Sequence, residues 1–307
     1  MVDWIGNATD TSFTKTGLST TSGTAYYISV KATDNAENES TTITSDGVIV
    51  DTDGPISGTV LDGTSADIDW TNSTSSLTAT WSGFSDTLSG IQKYEYAIGS
   101  SSGGTDVVDW TNTTTDTSVT KTGLTLTNGT TYYLSIRAAD NVGNVSTIVT
   151  SDGITVDTDV PIISSVIEGS LTADMDYQNS DTTLIIVWTG SDTASGIAQY
   201  EYALGTASAD SNTVAWTNAG TATADTLTGL SLTEDSIYYL SARATDVAGN
   251  LSVVVNGDGV TIDLTAPAGT IVNDGTGADI AYTGSDSTLS AVWPAFTETV
   301  SGISKYE

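Results

Sequence analysis

Residues 123–146 read GLTLTNGTTYYLSIRAADNVGNVS, and this stretch decides the architecture. Thr131–Ala139 is rich in aromatic and β-branched residues and lies between Asn128-Gly129 and Asp140-Asn141, so it reads as a β-strand bounded by turns. Its landmarks recur. Asp34, Asp140 and Asp246 are 106 residues apart, as are Pro55, Pro161 and Pro267, Trp4, Trp110 and Trp216, and Tyr94, Tyr200 and Tyr306. The register slips by one residue locally: Trp81 to Trp188 is 107 and Trp188 to Trp293 is 105. A period near 100 residues is too long for a solenoid repeat and fits one whole Ig-like domain.

Working outward within one period, six further short strands read clearly: Thr59–Leu61, Leu77–Trp81, Ile91–Ile98, Val107–Trp110, Val119–Leu124 and Gly153–Asp157. Gly, Asn, Asp and Ser separate them, and no useful helical periodicity appears. The fold class expected is all-β, a tandem series of sandwiches of about seven strands. The modules expected are 1–54 (the C-terminal half of one), 55–160 and 161–266 (complete), and 267–307 (the N-terminal half of one). The simplest reading is a window on a longer array. A second is that the two halves, which lack only the equivalent of Tyr96–Val107, join head to tail between copies into a filament. Met1 stands where the array would have Val107.

Composition narrows the function. The 307 residues carry no Cys and no His, which removes disulfides, thiolate ligands and the commonest general base. Formal charge is −31, from 7 basic against 38 acidic residues. Such a field repels nucleic acid and anionic membrane and attracts cations. No window suits a membrane span. The chain holds no phosphate loop and no nucleophile elbow, and its acids repeat with the period, whereas an active site need occur only once. The expectation is a non-enzyme.

Gly123-Leu124, Thr131-Tyr132, Leu134, Ile136 and Ala138, with Trp81 and Tyr94, resemble a fibronectin type III domain. Ala139-Asp140 through Gly143-Asn144-Val145-Ser146, and Val156-Asp157-Thr158-Asp159-Val160-Pro161, resemble bacterial Ig-like and fibronectin-like repeats of large surface proteins. Ala36-Glu37 and Gly54 depart from the pattern of the next repeat. The resemblance implies that Tyr26, Tyr132 and Tyr238 are tyrosine-corner residues. Leu134, Ile136 and Ala138 would then face inward, and Tyr133, Ser135 and Arg137 outward. Glu95 would pair across strands with Arg137, and Glu201 with Arg243. Trp81, Trp188 and Trp293 are expected in the core.

The same resemblance places each module junction at the pole that carries the second-to-third-strand loop and the last hairpin loop. Asp51, Asp53, Asp157, Asp159 and Asp263 lie at junctions, Asp86 and Asp192 in the first loop, and Asp140, Asn144, Asp246 and Asn250 in the second. Converging carboxylates and carbonyls are what Ca²⁺ needs, with its six to eight oxygen ligands. The alternative is that Asp and Asn sit there as good turn formers. A second acidic loop holds Asp62, Asp67 and Asp69, then Asp174 and Asp176, then Asp274 and Asp279, where it thins to Ala281. Trp4, Trp110 and Trp216 are candidates for stacking on a sugar ring, or simply edge covers.

The function expected is an extracellular or cell-surface stalk, structural or adhesive, made semi-rigid by short Pro-containing linkers and by Ca²⁺ at the junctions. Its partners would be neighbouring modules or copies of itself. The alternatives are a multivalent binder of glycan or another surface, and an accessory stalk of a secreted enzyme.

Overall fold

The computed structural model describes residues 3–6 and 8–307; Met1, Val2 and Asn7 lie outside the described residues, and with them the match of Met1 to Val107. Every regular element among the described residues is a β-strand, so no helix is long and apolar enough to cross a membrane. The chain divides into two compact units, Met1–Asp69 with Ser73–Thr155, and Trp70–Asn72 with Val156–Glu307.

The first unit opens with two short ladders. β1 (Ala25–Tyr26) pairs with β4 (Val48–Ile49), and β2 (Ser29–Val30) with β3 (Ile43–Thr44). No described residue up to Gly54 is buried, and Val30, Ile43 and Ile49 of these two-stranded ladders stay exposed. The strands that follow are β5 (Thr59–Asp62), β6 (Trp70–Thr71, grouped with the second unit), β7 (Ser76–Ser82), β8 (Ile91–Gly99), β9 (Val108–Asn112), β10 (Ser118–Thr122), β11 (Thr131–Asp140), β12 (Val149–Thr150) and β13 (Ile154–Val156). One sheet has the order β10-β7-β5; the other runs β13-β11-β8-β9, with β12 also on β11.

The second unit repeats the plan with β14 (Ile162–Glu168), β15 (Tyr177–Gln178), β16 (Thr183–Ser191), β17 (Ile197–Gly205), β18 (Val214–Gly220), β19 (Ala224–Thr228), β20 (Ile237–Asp246), β21 (Val255–Asn256) and β22 (Val260–Ile262). Its sheets are β14-β16-β19 and β15-β22-β20-β17-β18. Leu184, Ile186 and Trp188 of β16 face Tyr200, Tyr202 and Leu204 of β17 and Tyr238, Leu240 and Ala242 of β20 in one core. The alternation of these residues buries one face of each sheet against the other. The unit ends in a ladder of β23 (Asn273–Asp274) and β24 (Ala291–Val292), and no residue from Ala266 onward is buried.

The tyrosine corners form. The backbone amides of Thr127, Thr233 and Thr21 donate to the hydroxyls of Tyr132, Tyr238 and Tyr26 at 3.0, 3.1 and 2.9 Å. Two expectations need correction. Trp293, which follows β24, is 40% exposed and packs against Tyr306 in a stretch in which no residue is buried. Ser135 is fully buried: a small side chain between larger neighbours on a wide sheet is shielded whichever way it points, and its hydroxyl meets that of Thr150 at 2.9 Å.

Candidate metal centres

Three segments distant in sequence meet at one site in the first unit. Asp51 lies just before Pro55, Asp86 in the loop between β7 and β8, and Asp140 at the end of β11. One carboxylate oxygen of each lies within 4.8 Å of the others. The second unit brings together Asp157, Asp192 and Asp246 in the same way. Asp140, Asp157 and Asp246 are buried, and the remaining three are half-buried.

Local hydrogen bonds hold the carboxylates in place. Asp140 Oδ1 accepts from the amides of Val142, Gly143 and Asn144, and Oδ2 from the Asn144 side chain. Asp86 Oδ1 accepts from Leu88 and Gly90, and Asp51 Oδ2 from Ser89. The amide of Asn144 also reaches the carbonyl of Asp51 at 3.3 Å, tying the segment before the sandwich to the β11 hairpin. The second unit repeats this wiring: Asp192 Oδ1 accepts from Ala194 and Gly196, Asp157 Oδ2 from Ser195, and Asn250 bridges Asp246 Oδ2 and the Asp157 carbonyl, each at 2.8 Å. Burial pushes the Asp140 carboxyl up, but the Asn144 side chain and the loop amides outweigh it and hold the group below the ordinary aspartate value.

All these donors are neutral, so each site gathers three negative charges without a cation. Among the described residues the ion pairs join Lys31, Lys93, Arg137, Arg243 and Lys305 to glutamates only. Three oxygens mutually within 4.8 Å share a point no more than about 2.8 Å from each, close to a calcium–oxygen distance of about 2.3–2.6 Å. Each site therefore has the donor chemistry and span for a hard divalent cation.

The other candidates are placed differently. Asp53 and Asp159 stand outside the three-carboxylate groups; their backbone amides cap Asp51 and Asp157 at 3.1 and 3.0 Å. Asp263 is in no such group among the described residues, and Glu298 stands where the earlier repeats have Asp86 and Asp192. Arg137 stacks 4.2 Å from the Trp110 ring centre, Arg243 4.3 Å from Trp216, and Lys31 5.2 Å from Trp4. The first two guanidinium groups also pair with Glu95 and Glu201 at 2.7 and 2.8 Å. One face of each of these indoles is thus covered by a cation. Two further acidic groups assemble elsewhere, Asp62–Asp67–Asp152 and Glu168–Asp174–Asp258. Nothing in the sequence marks Asp152 or Asp258 as partners of the acidic loops, because they come from the opposite end of the module.

No family model matches the chain. It is 30% identical to Exoglucanase B of Cellulomonas fimi over 256 residues, which is 81% of this chain and 21% of the relative, so it spans about a fifth of that protein's length. Among solved structures, the FN1-FN3 domains of chicken CNTN1 match at TM-score 0.40 and 15% identity, over 75% of this chain and 76% of that one. The fibronectin(III)-like modules of Clostridium thermocellum CbhA match at 0.39 and 15%, over 66% and 94%. Both scores are low, and the assignment stands on the chain's own repeat, strand order and tyrosine corners: the chain is built of tandem fibronectin type III-like β-sandwich modules.

Proposed function

We propose that this chain is a non-catalytic spacer within a longer extracellular protein, and that Ca²⁺ pins the segment before each complete sandwich onto the loops of that sandwich. The observation that carries this reading is the repeated assembly of Asp51–Asp86–Asp140 and Asp157–Asp192–Asp246 with matching hydrogen bonds. A loop that needed Asp only for its turn would not require carboxylates from three separate segments to converge. The likeness to a fifth of Exoglucanase B supports an accessory stretch beside a catalytic part over an adhesive filament.

Thermal unfolding of the full chain with Ca²⁺ and then with chelator tests it. Saturation at 100 times Kd adds about 2.7 kcal/mol to a module, a rise on the order of 10 °C in Tm. Asp86→Asn and Asp192→Asn keep the oxygen that accepts the loop amides and remove one charge each, so together they should erase most of this rise. Protease should also cut near Asp159-Val160 faster in chelator. An unchanged Tm, together with unchanged cleavage, rejects calcium at these sites.

A further inference from the structure

Each complete module carries a second acidic cluster. In the second unit, Glu168 ends β14, Asp174 lies in the loop before β15, and Asp258 sits between β21 and β22. Glu168 is fully buried while Asp174 and Asp258 are exposed. Glu168 Oε1 accepts from the backbone amide of Leu240 at 2.9 Å, whereas Oε2, equally buried, has no partner. The amide of Glu168 donates to Asp174 Oδ1 at 2.9 Å and holds that acid beside it. Gly257 makes the room: a Cβ there would lie 2.1 Å from both Glu168 oxygens.

The first unit reaches the same arrangement with different residues. Asp62 ends β5, fully buried, and its Oδ1 has no partner. Its amide donates to Asp67 Oδ1 at 2.8 Å, and Gly153 donates to its Oδ2 at 3.1 Å. Ser151 stands at the repeat position of Gly257, and its hydroxyl accepts from Leu134, the counterpart of Leu240, at 3.0 Å. Thus Asp with Ser in one module is exchanged for Glu with Gly in the next. Both solutions leave one buried oxygen bare and two exposed carboxylates in front of it.

A carboxylate oxygen sealed from water with no donor is costly and calls for a partner. Desolvation, the largest effect, pushes the carboxyl of Asp62 up to about 6 and that of Glu168 to about 7. In each cluster one oxygen from each acid lies within 4.8 Å of the others. We infer that Glu168–Asp174–Asp258 and Asp62–Asp67–Asp152 are a second pair of divalent-cation sites, in which the ion supplies the partner missing from the buried oxygen. Oxygen-only donors, two of them exposed and able to share the ion with water, fit Ca²⁺. The inference does not depend on the sites formed by Asp86 and Asp192.

The test is Ca²⁺ binding to the full chain by equilibrium dialysis, with amide NMR spectra. Wild type should hold four ions, one per cluster. Asp258→Asn, at an exposed position, should remove one, and Asp152→Asn with Asp258→Asn should remove two. Glu168→Gln, which keeps an acceptor for Leu240, should also remove one. Asp86→Asn with Asp192→Asn should leave these two sites filled, which separates failure here from failure of the proposed function. Ca²⁺ should shift the Leu240 and Gly153 amide signals in that last variant. Unchanged stoichiometry in the Asp152, Asp258 and Glu168 variants would overturn the inference. So would amide signals that stay fixed up to about 10 mM Ca²⁺, tenfold above the weakest extracellular sites.

Discussion

At the scale of single residues, the two modules record a compensated exchange. Asp62 with Ser151 and Glu168 with Gly257 divide the same side-chain carbons differently, and the Glu168 carboxylate accepts the Leu240 amide where the Ser151 hydroxyl accepts that of Leu134. Gly257→Ser alone should overpack the site and cost about 1–3 kcal/mol. Adding Glu168→Asp should recover most of that, a coupling readable in a double-mutant cycle of denaturant unfolding. The tyrosine corners make a second residue-scale case. Tyr238→Phe keeps the ring in the core but leaves the Thr233 amide without its acceptor, so about 1 kcal/mol of module stability should be lost. Tyr26, Tyr132 and Tyr238 were legible because their setting in the repeat resembles the tyrosine corner of a fibronectin type III domain. The Ser151/Gly257 exchange was not, because its meaning lies in contact with a residue some 90 positions away.

At the scale of elements, the β8–β11 ladder shows how period and register place scarce charges. Arg137 lies directly opposite Glu95, and Arg243 opposite Glu201. Each Arg reaches past its glutamate strand to stack on a tryptophan of the strand beyond, Trp110 of β9 or Trp216 of β18, so ion pair and cation–π contact share one cation. Lys93, which is the larger influence, and Arg137 hold the Glu95 carboxyl below the ordinary glutamate value. A carboxyl whose folded pKa is depressed stabilises above its unfolded value and loses that contribution as pH falls through the folded one. Arg137→Ala should therefore move the Glu95 titration, followed by carboxyl NMR, toward the ordinary value. High salt should weaken the same shift in wild type, because the pair is partly exposed. The strands themselves were legible from alternation and turn residues. The short β6 and β12 were not, because two residues carry no period.

At the scale of the whole molecule, the repeat means that each structural decision is made twice. In the first unit Asp51, Asp86 and Asp140 converge, and in the second Asp157, Asp192 and Asp246 do the same. Chelator should accordingly lower the stability of both units, and Asp192→Asn alone should leave the calcium response of the first unit intact, resolved as two calorimetric transitions. The sequence alone determined the all-β class and the 106-residue period, and its resemblance to fibronectin type III domains implied the tyrosine corners and the cross-strand ion pairs. The first two follow from local alternation and from spacing, which are written along the chain. It also named the loops that gather around Asp140 and Asp246. Only the tertiary structure decided which acids of those loops meet: Asp51 and Asp157 turn in, while Asp53 and Asp159 contribute a backbone amide. Only it showed Asp152 and Asp258 standing before a buried Asp62 and Glu168, since residues on opposite edges of a sandwich become neighbours when the two sheets close on their core.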